Sequence, residues 1–202
     1  MKVEEAFDPS VALEEVLEEA GGLRRRSKVW FYAPSFKHYE VEGFRNDPWS
    51  FPAVSITGPN CALNCEHCRG LILKHMIPAT TPSRLYEVCL EVYEKGGHGV
   101  LVSGGSTLSG SVPLKPFLSV IKKVKQELRL TIVVHTGLVS SEVAQGLAEA
   151  SVDAALLDVV GDEETALKVL HLHAPPRVFE SSLRLLERRG VPTVPHVVVG
   201  LH

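Results

Sequence analysis

From Val54 onward the chain alternates short apolar runs with amphipathic helical patterns, and this alternation restricts the fold more than any other feature. The apolar runs at 53–57, 99–103, 130–134, 154–159 and 194–199 have the length and near-continuous apolar character of buried parallel strands. Helical patterns at 82–95, 113–128, 140–150, 163–171 and 177–189 fill the connections. Pro82, Pro113 and Ser140 sit near helix starts, and Gly96 and Gly190 follow helix ends. Strand–helix alternation implies a parallel α/β fold, closed as a barrel or left open as a doubly wound sheet. A full eight-stranded barrel usually takes ~250 residues. The 202 residues here fit an α/β fold of the partial (β/α) barrel type, with about five to six parallel strands. After the last run only Gly200, Leu201 and His202 follow, with no helix to cover it. A shortened chain, a minimal barrel and a partner subunit that closes the edge all fit that ending.

Residues 1–52 follow a different pattern and are read as an N-terminal extension to a barrel spanning 53–202. A helix is expected at 8–20, capped by Asp8 with Pro9 at its first turn and ended by Gly21-Gly22. Val29-Trp30-Phe31-Tyr32 is β-prone, and a loop-rich stretch runs from Pro34 to Pro52. The net charge of −3 supplies no broad basic field, which argues against nucleic-acid or anionic-membrane partners. Arg24-Arg25-Arg26 reads as a solvated turn. No apolar stretch reaches the ~18 residues of a membrane span. The acidic start, MKVEEAFDPS, lacks the order of a signal peptide, so a cytoplasmic protein is expected.

Three of the four cysteines fall within eight residues, as Cys61-x3-Cys65-x2-Cys68, in the loop after the first strand of the alternating region. Such crowding suits metal binding or redox chemistry better than a disulfide framework. Thiolates are soft ligands for iron–sulfur clusters, and three of them hold three irons of a cubane while leaving the fourth open. The alternative is a structural zinc site completed by His67 or His75, although zinc sites more often join two well-separated ligand pairs. Ser103, Gly104 and Gly105 end the second strand, where α/β enzymes place their sites and where glycine lets the main chain approach a ligand. The same rule marks His135 and Thr136 at the end of the third strand, Asp158 at the end of the fourth and His196 on the fifth. Asp158 lies in an apolar strand and needs a partner or a ligand. A structural hydrogen bond is the competing role for each. Cys89 shares a helical face with Leu85, Val88 and Val92 and reads as a core thiol. His171 and His173 straddle Leu172 at a helix end and read as an exposed terminus, with metal binding the alternative.

The cysteine spacing after a first parallel strand, with a glycine pair after the second, resembles the radical S-adenosylmethionine (SAM) superfamily. The resemblance implies a [4Fe-4S] cluster on Cys61, Cys65 and Cys68, with the SAM amino and carboxylate groups on the unique iron. One-electron cleavage then yields a 5'-deoxyadenosyl radical that abstracts a substrate hydrogen. The family usually has an aromatic residue before the third cysteine, stacked near adenine; here it is His67, whose imidazole can also stack. Ser103, Gly104 and Gly105 correspond to the motif at the SAM amino group. The third and fourth strand ends, with His135 and Asp158, correspond to polar contacts with carboxylate and ribose. The fifth strand supplies backbone to adenine, with Val198 beside it; core packing competes for Val197, Val198 and Val199.

The segments Phe31-Tyr32-Ala33-Pro34-Ser35-Phe36-Lys37, Thr57 to Cys65, Val134-His135-Thr136-Gly137 and Pro195 to Leu201 are similar to biotin-synthase-related proteins of archaea and some bacteria. That group includes the subunits of two-component lipoyl synthases, which insert sulfur into a protein-bound octanoyl chain. The resemblance therefore implies a second radical SAM subunit, a lipoyl-carrier protein and an electron donor such as ferredoxin as partners. Only Cys89 remains beyond the first three cysteines, so this chain cannot build a second all-cysteine cluster alone. A radical SAM enzyme that forms or rearranges C–C bonds is the alternative reaction, and a zinc-bearing binding module the non-enzymatic one.

Overall fold

The apolar runs pair as expected, into one sheet of parallel strands. The computed structural model describes residues 40–45, 47–198 and 200–201. The helix expected at 8–20 and the strand at 29–32 lie outside them. The six-stranded sheet has the order β4-β3-β5-β6-β7-β8. Its members are β3 (Ala53–Ser55), β4 (Ile77–Pro78), β5 (Gly99–Ser103), β6 (Thr131–His135), β7 (Ala154–Asp158) and β8 (Thr193–His196). All neighbours pair in parallel. A separate antiparallel pair, β1 (Glu40–Val41) and β2 (Phe44–Arg45), turns at Gly43.

Among the described residues, five α-helices connect the strands: α1 (Pro82–Glu94), α2 (Leu118–Glu127), α3 (Ser141–Glu149), α4 (Glu163–Leu170) and α5 (Pro176–Arg188). Each starts where the chain offers a reason. Thr81, Ser140 and Asp162 side chains accept from the third residue's N–H at the starts of α1, α3 and α4. Proline opens α1 and α5. The helix expected from residue 113 begins its α-helical part only at Leu118, after a 3-10 turn at Lys115–Phe117. Pro113 and Pro116 have no N–H to donate, so the ladder starts late. Adjacent helices pack in succession, α1 on α2, α2 on α3 and α3 on α5.

Alternate strand residues serve two faces. Val100, Val102, Ile132, Val134 and Ala155 join the core beneath the helices. Leu101, Ser103, His135, Leu156, Asp158 and His196 line a cavity instead. Cys89 is 1% exposed in that core, beside Val88 and Val92, as its helical face implied.

Strand β4 was not foreseen; it lies beside β3 at the edge opposite β8. The expected gap in cover over the last strand is only partial. Helix α5 precedes β8 and packs on it, yet Val194 stays 45% exposed. Beyond the strand Val197 and Val198 are 72% and 52% exposed, which corrects the reading of them as core. Among the described residues no helix is long and apolar enough to cross a membrane.

Candidate functional site

The cysteine loop leaves β3 through a turn held by two hydroxyl groups. Buried Ser55 donates to the Gly58 carbonyl at 2.7 Å, and Gly58 adopts φ +60°. Thr57 Oγ1 donates to the Asn60 carbonyl at 2.8 Å and accepts from the Gly105 N–H at 2.7 Å. Thr57 therefore ties the cysteine loop to the loop after β5. On the far side of Cys61 the Ala62 N–H donates to the Ser106 carbonyl at 2.8 Å. Gly105 lies between these bonds, and a Cβ there would come 2.0 Å from the Asn60 oxygen and 2.6 Å from Cys61 Cα. The structure thus gives this glycine a packing reason, close approach of two backbones, in addition to the ligand approach inferred from sequence.

A second support comes from the end of α4. The Val169 carbonyl accepts from the Glu66 N–H at 2.8 Å, and the Leu170 carbonyl lies 3.6 Å from Cys65 Sγ. His171 is an exposed helix terminus, as expected, and its ring also contacts Leu63 and Glu66 across more than a hundred residues of sequence.

All three cysteines line a cavity of about 330 Å³. Burial, then the neighbouring Cys68 and Cys61 sulfurs, push the Cys65 thiol up to about 11. A metal must displace that proton to use the sulfur, and its own charge supplies the compensation. Among the described residues, only His135, Asp158 and His196 bring three ligand atoms within 4.8 Å of one another. Three thiolates on one short loop are soft donors of the kind that suit an iron–sulfur cluster.

Across the cavity the strand ends converge. His135 Nε2 lies 3.2 Å and His196 Nδ1 3.6 Å from the Asp158 carboxylate, and the two rings are 6.2 Å apart. Burial acts to raise the Asp158 carboxyl, but the hydrogen bond and charge of His135, with His196 and His67, outweigh it and hold the group below the usual carboxylate range. Asp158 thus has the partners its apolar strand demands. Ser103, Gly104, Gly105 and His67 line the same cavity, whereas Val198 does not. Thr136 is only 1% exposed, and its hydroxyl donates to the Gly137 and Leu156 carbonyls, a structural role. The remaining wall is apolar, with Leu63, Leu138, Leu172 and Phe179. The arrangement places a three-thiol loop, a row of polar strand ends and an apolar wall around one cavity.

Among solved structures, the chain is similar to methylornithine synthase (PylB), with a TM-score of 0.54 and 15% identity. The match covers 75% of this chain and 45% of that one, so it spans less than half of that protein's length. At this identity the likeness shows the fold, a parallel sheet with helices as in a partial (β/α) barrel. No curated protein matches the sequence. The family model that matches, over residues 55–202, is that of the radical SAM superfamily, whose members use a [4Fe-4S] cluster and SAM. With that model covering most of its length, the chain belongs to the radical SAM superfamily.

Proposed function

We propose that Cys61, Cys65 and Cys68 hold the cluster and that SAM lies across the ends of β5 to β8. The observation that carries this reading is one cavity that joins all three thiols to Ser103, Gly104, Gly105, His135, Asp158 and His196. A cluster held there would supply the one electron for reductive cleavage of SAM, the source of the radical that abstracts hydrogen. Around it, the backbone at Ser103, Gly104 and Gly105 receives the amino group. His135 and Asp158 offer a donor and an acceptor to the carboxylate and ribose. His67 and Val198 are assigned to adenine by family resemblance; of the two, only His67 borders the cavity. Leu63, Leu138, Leu172 and Phe179 give the cavity its apolar side.

The reaction we assign is sulfur insertion into a protein-bound octanoyl chain, as one half of a two-protein lipoyl synthase. The apolar wall suits an aliphatic chain. The partners would be a second radical SAM subunit, a lipoyl-carrier protein and a ferredoxin-type donor. One observation favours a second reading. Cys89 is 1% exposed, so this chain offers no accessible thiol of its own beyond the three ligands. Without a sulfur-bearing partner, hydrogen abstraction would lead to C–C bond formation or rearrangement.

Anaerobic reconstitution tests the cluster reading. About four irons per chain are expected, with 5'-deoxyadenosine formed by the wild type and none by Cys65→Ser. A colourless zinc protein that leaves SAM intact would overturn it. Incubation of an octanoylated carrier peptide with the chain, its partner, SAM and reductant tests the reaction. A thiolated product supports sulfur insertion; an active system that yields only unthiolated product rules it out.

A further inference from the structure

Helix α4 ends on a residue that the helix itself does not favour. His171 occupies its C-terminal cap at φ +56° and ψ +30°, in the left-handed region where glycine is preferred. The imidazole is engaged elsewhere. Its Nδ1 lies 2.8 Å from the Leu63 carbonyl oxygen and, facing a carbonyl, donates to it. Its Nε2 lies 3.2 Å from Glu66 Oε1. Leu63 and Glu66 stand on either side of Cys65, so one ring spans the middle cysteine.

The bracing is shared with the helix end. The Val169 and Leu170 carbonyls lie 2.8 Å from the Glu66 N–H and 3.6 Å from Cys65 Sγ. Glu66 is held in turn by Arg69 at 3.0 Å, and the Arg69 N–H donates to the Cys65 carbonyl at 2.7 Å. The cysteine loop needs such support, because Asn64 and Arg69 also take left-handed φ values of 48° and 46°. Asn tolerates this region, but Arg69 is of a type that seldom takes it without partners to hold it there.

We propose that His171 is a positioning residue of the cysteine loop, bridging Leu63 and Glu66 so that Cys65 stays turned into the cavity and the cluster is retained. The proposal rests on the cysteines being the cluster ligands, yet its first readout needs no cluster. His171→Gly removes the ring while suiting the left-handed backbone, so a residue that merely caps α4 would lose nothing. In the apo protein, alkylation of Cys65 by iodoacetamide, followed by mass spectrometry, should quicken roughly three- to tenfold in His171→Gly. In the reconstituted protein, iron release to a chelator should quicken by a similar factor while the melting temperature holds. His171→Asn, which tolerates the same φ and keeps a donor, should restore part of the protection. Glu66→Ala should quicken alkylation in the wild type but add little in His171→Gly, since both remove one bridge. If His171→Gly fails to fold, Glu66→Ala carries the test alone. Alkylation and iron-release rates equal to the wild type overturn the proposal. A wild-type chain that binds no iron sinks the cluster reading instead, leaving the apo measurement to judge the bridge.

Discussion

A methyl group at position 105 is the smallest change that should separate the cysteine loop from the strand-end loop beside it. Neither Gly105 nor Gly161 has a left-handed backbone, so alanine is conformationally acceptable at both. At such positions Gly→Ala usually stabilises by ~0.4–1 kcal/mol through the unfolded chain. At Gly161 the new Cβ meets nothing within 4 Å. At Gly105 it lands 2.0 Å from the Asn60 oxygen, 2.6 Å from Cys61 Cα and 2.7 Å from Cys61 Cβ. None of those atoms can rotate away, because two are backbone and the third is attached to it. Reaching even 3.0 Å from the Asn60 oxygen demands a retreat of about 1 Å. That retreat stretches three bonds now at 2.7 to 2.8 Å, from Gly105 to Thr57, Thr57 to Asn60 and Ala62 to Ser106. Overpacking costs ~1–3 kcal/mol and each hydrogen bond lost about 1 more. With partial relaxation, Gly105→Ala should cost about 2–4 kcal/mol, or roughly 5–15 °C in melting temperature. It should also displace Cys61 and lower the iron retained after reconstitution. The assay pairs thermal unfolding of the apo chains with iron content, using Gly161→Ala as the control. If both variants melt together and load iron equally, the packing argument is wrong.

Three further outcomes follow from single groups. Burial pushes the Cys89 thiol from 9.0 up to about 12, above its unfolded value, so its contribution is full below pH 9 and is lost as pH rises toward 12. Over that whole window it amounts to about 4 kcal/mol; chemical denaturation between pH 9 and 10.5 should show a shallower alkaline decline for Cys89→Ala, and equal slopes would contradict it. The Asp158 carboxyl is depressed in the fold, so it stabilises above its ordinary value of 3.8 and that contribution fades as pH falls below it. Asp158→Asn should flatten the acid limb of a stability profile from pH 6 to 3, and an unchanged limb would count against the His135 pairing. Asp153 Oδ2 accepts from the Ile132 N–H at 2.6 Å and from Lys125 Nζ at 2.7 Å. Asp153→Ala leaves a strand N–H without its partner and should cost ~1–3 kcal/mol in urea unfolding.

What could be read from the sequence was local. The helices carry their own caps and apolar faces, so α1, α3, α4 and α5 begin and end within a residue or so of the expected spans. The cysteines are legible because their spacing is short. Strand β4 is two residues long and ends in Pro78, too little for a periodic signal. The contacts of His171 and Gly105 were hidden for a different reason. Their partners, Leu63 and Cys61, stand 108 and 44 residues away, and nothing in the local pattern pairs them. A helix ending in a non-glycine residue is the only hint the sequence gave at His171.

The polar site nonetheless depends on that local pattern, through strand parity. Val100, Val102, Ile132, Val134 and Ala155 face the helices, and each buried branched side chain contributes ~1.5–3 kcal/mol. A hydrogen bond between polar side chains contributes about 1 kcal/mol. The apolar set therefore decides which residues face the cavity. Leu101, Ser103, His135, Leu156, Asp158 and His196 have the opposite parity and line it, and of the first parity only Leu157 also borders it among these strand residues. Pairing then sets their height: Asp158 lies opposite His196, and Leu156 opposite His135. A slip of one residue in β7 would turn Asp158 under the helices and Ala155 into the cavity, losing burial and ion pairing together. The carboxylate between two imidazoles is thus placed by the valines and isoleucine of the neighbouring strands, which do not line the cavity.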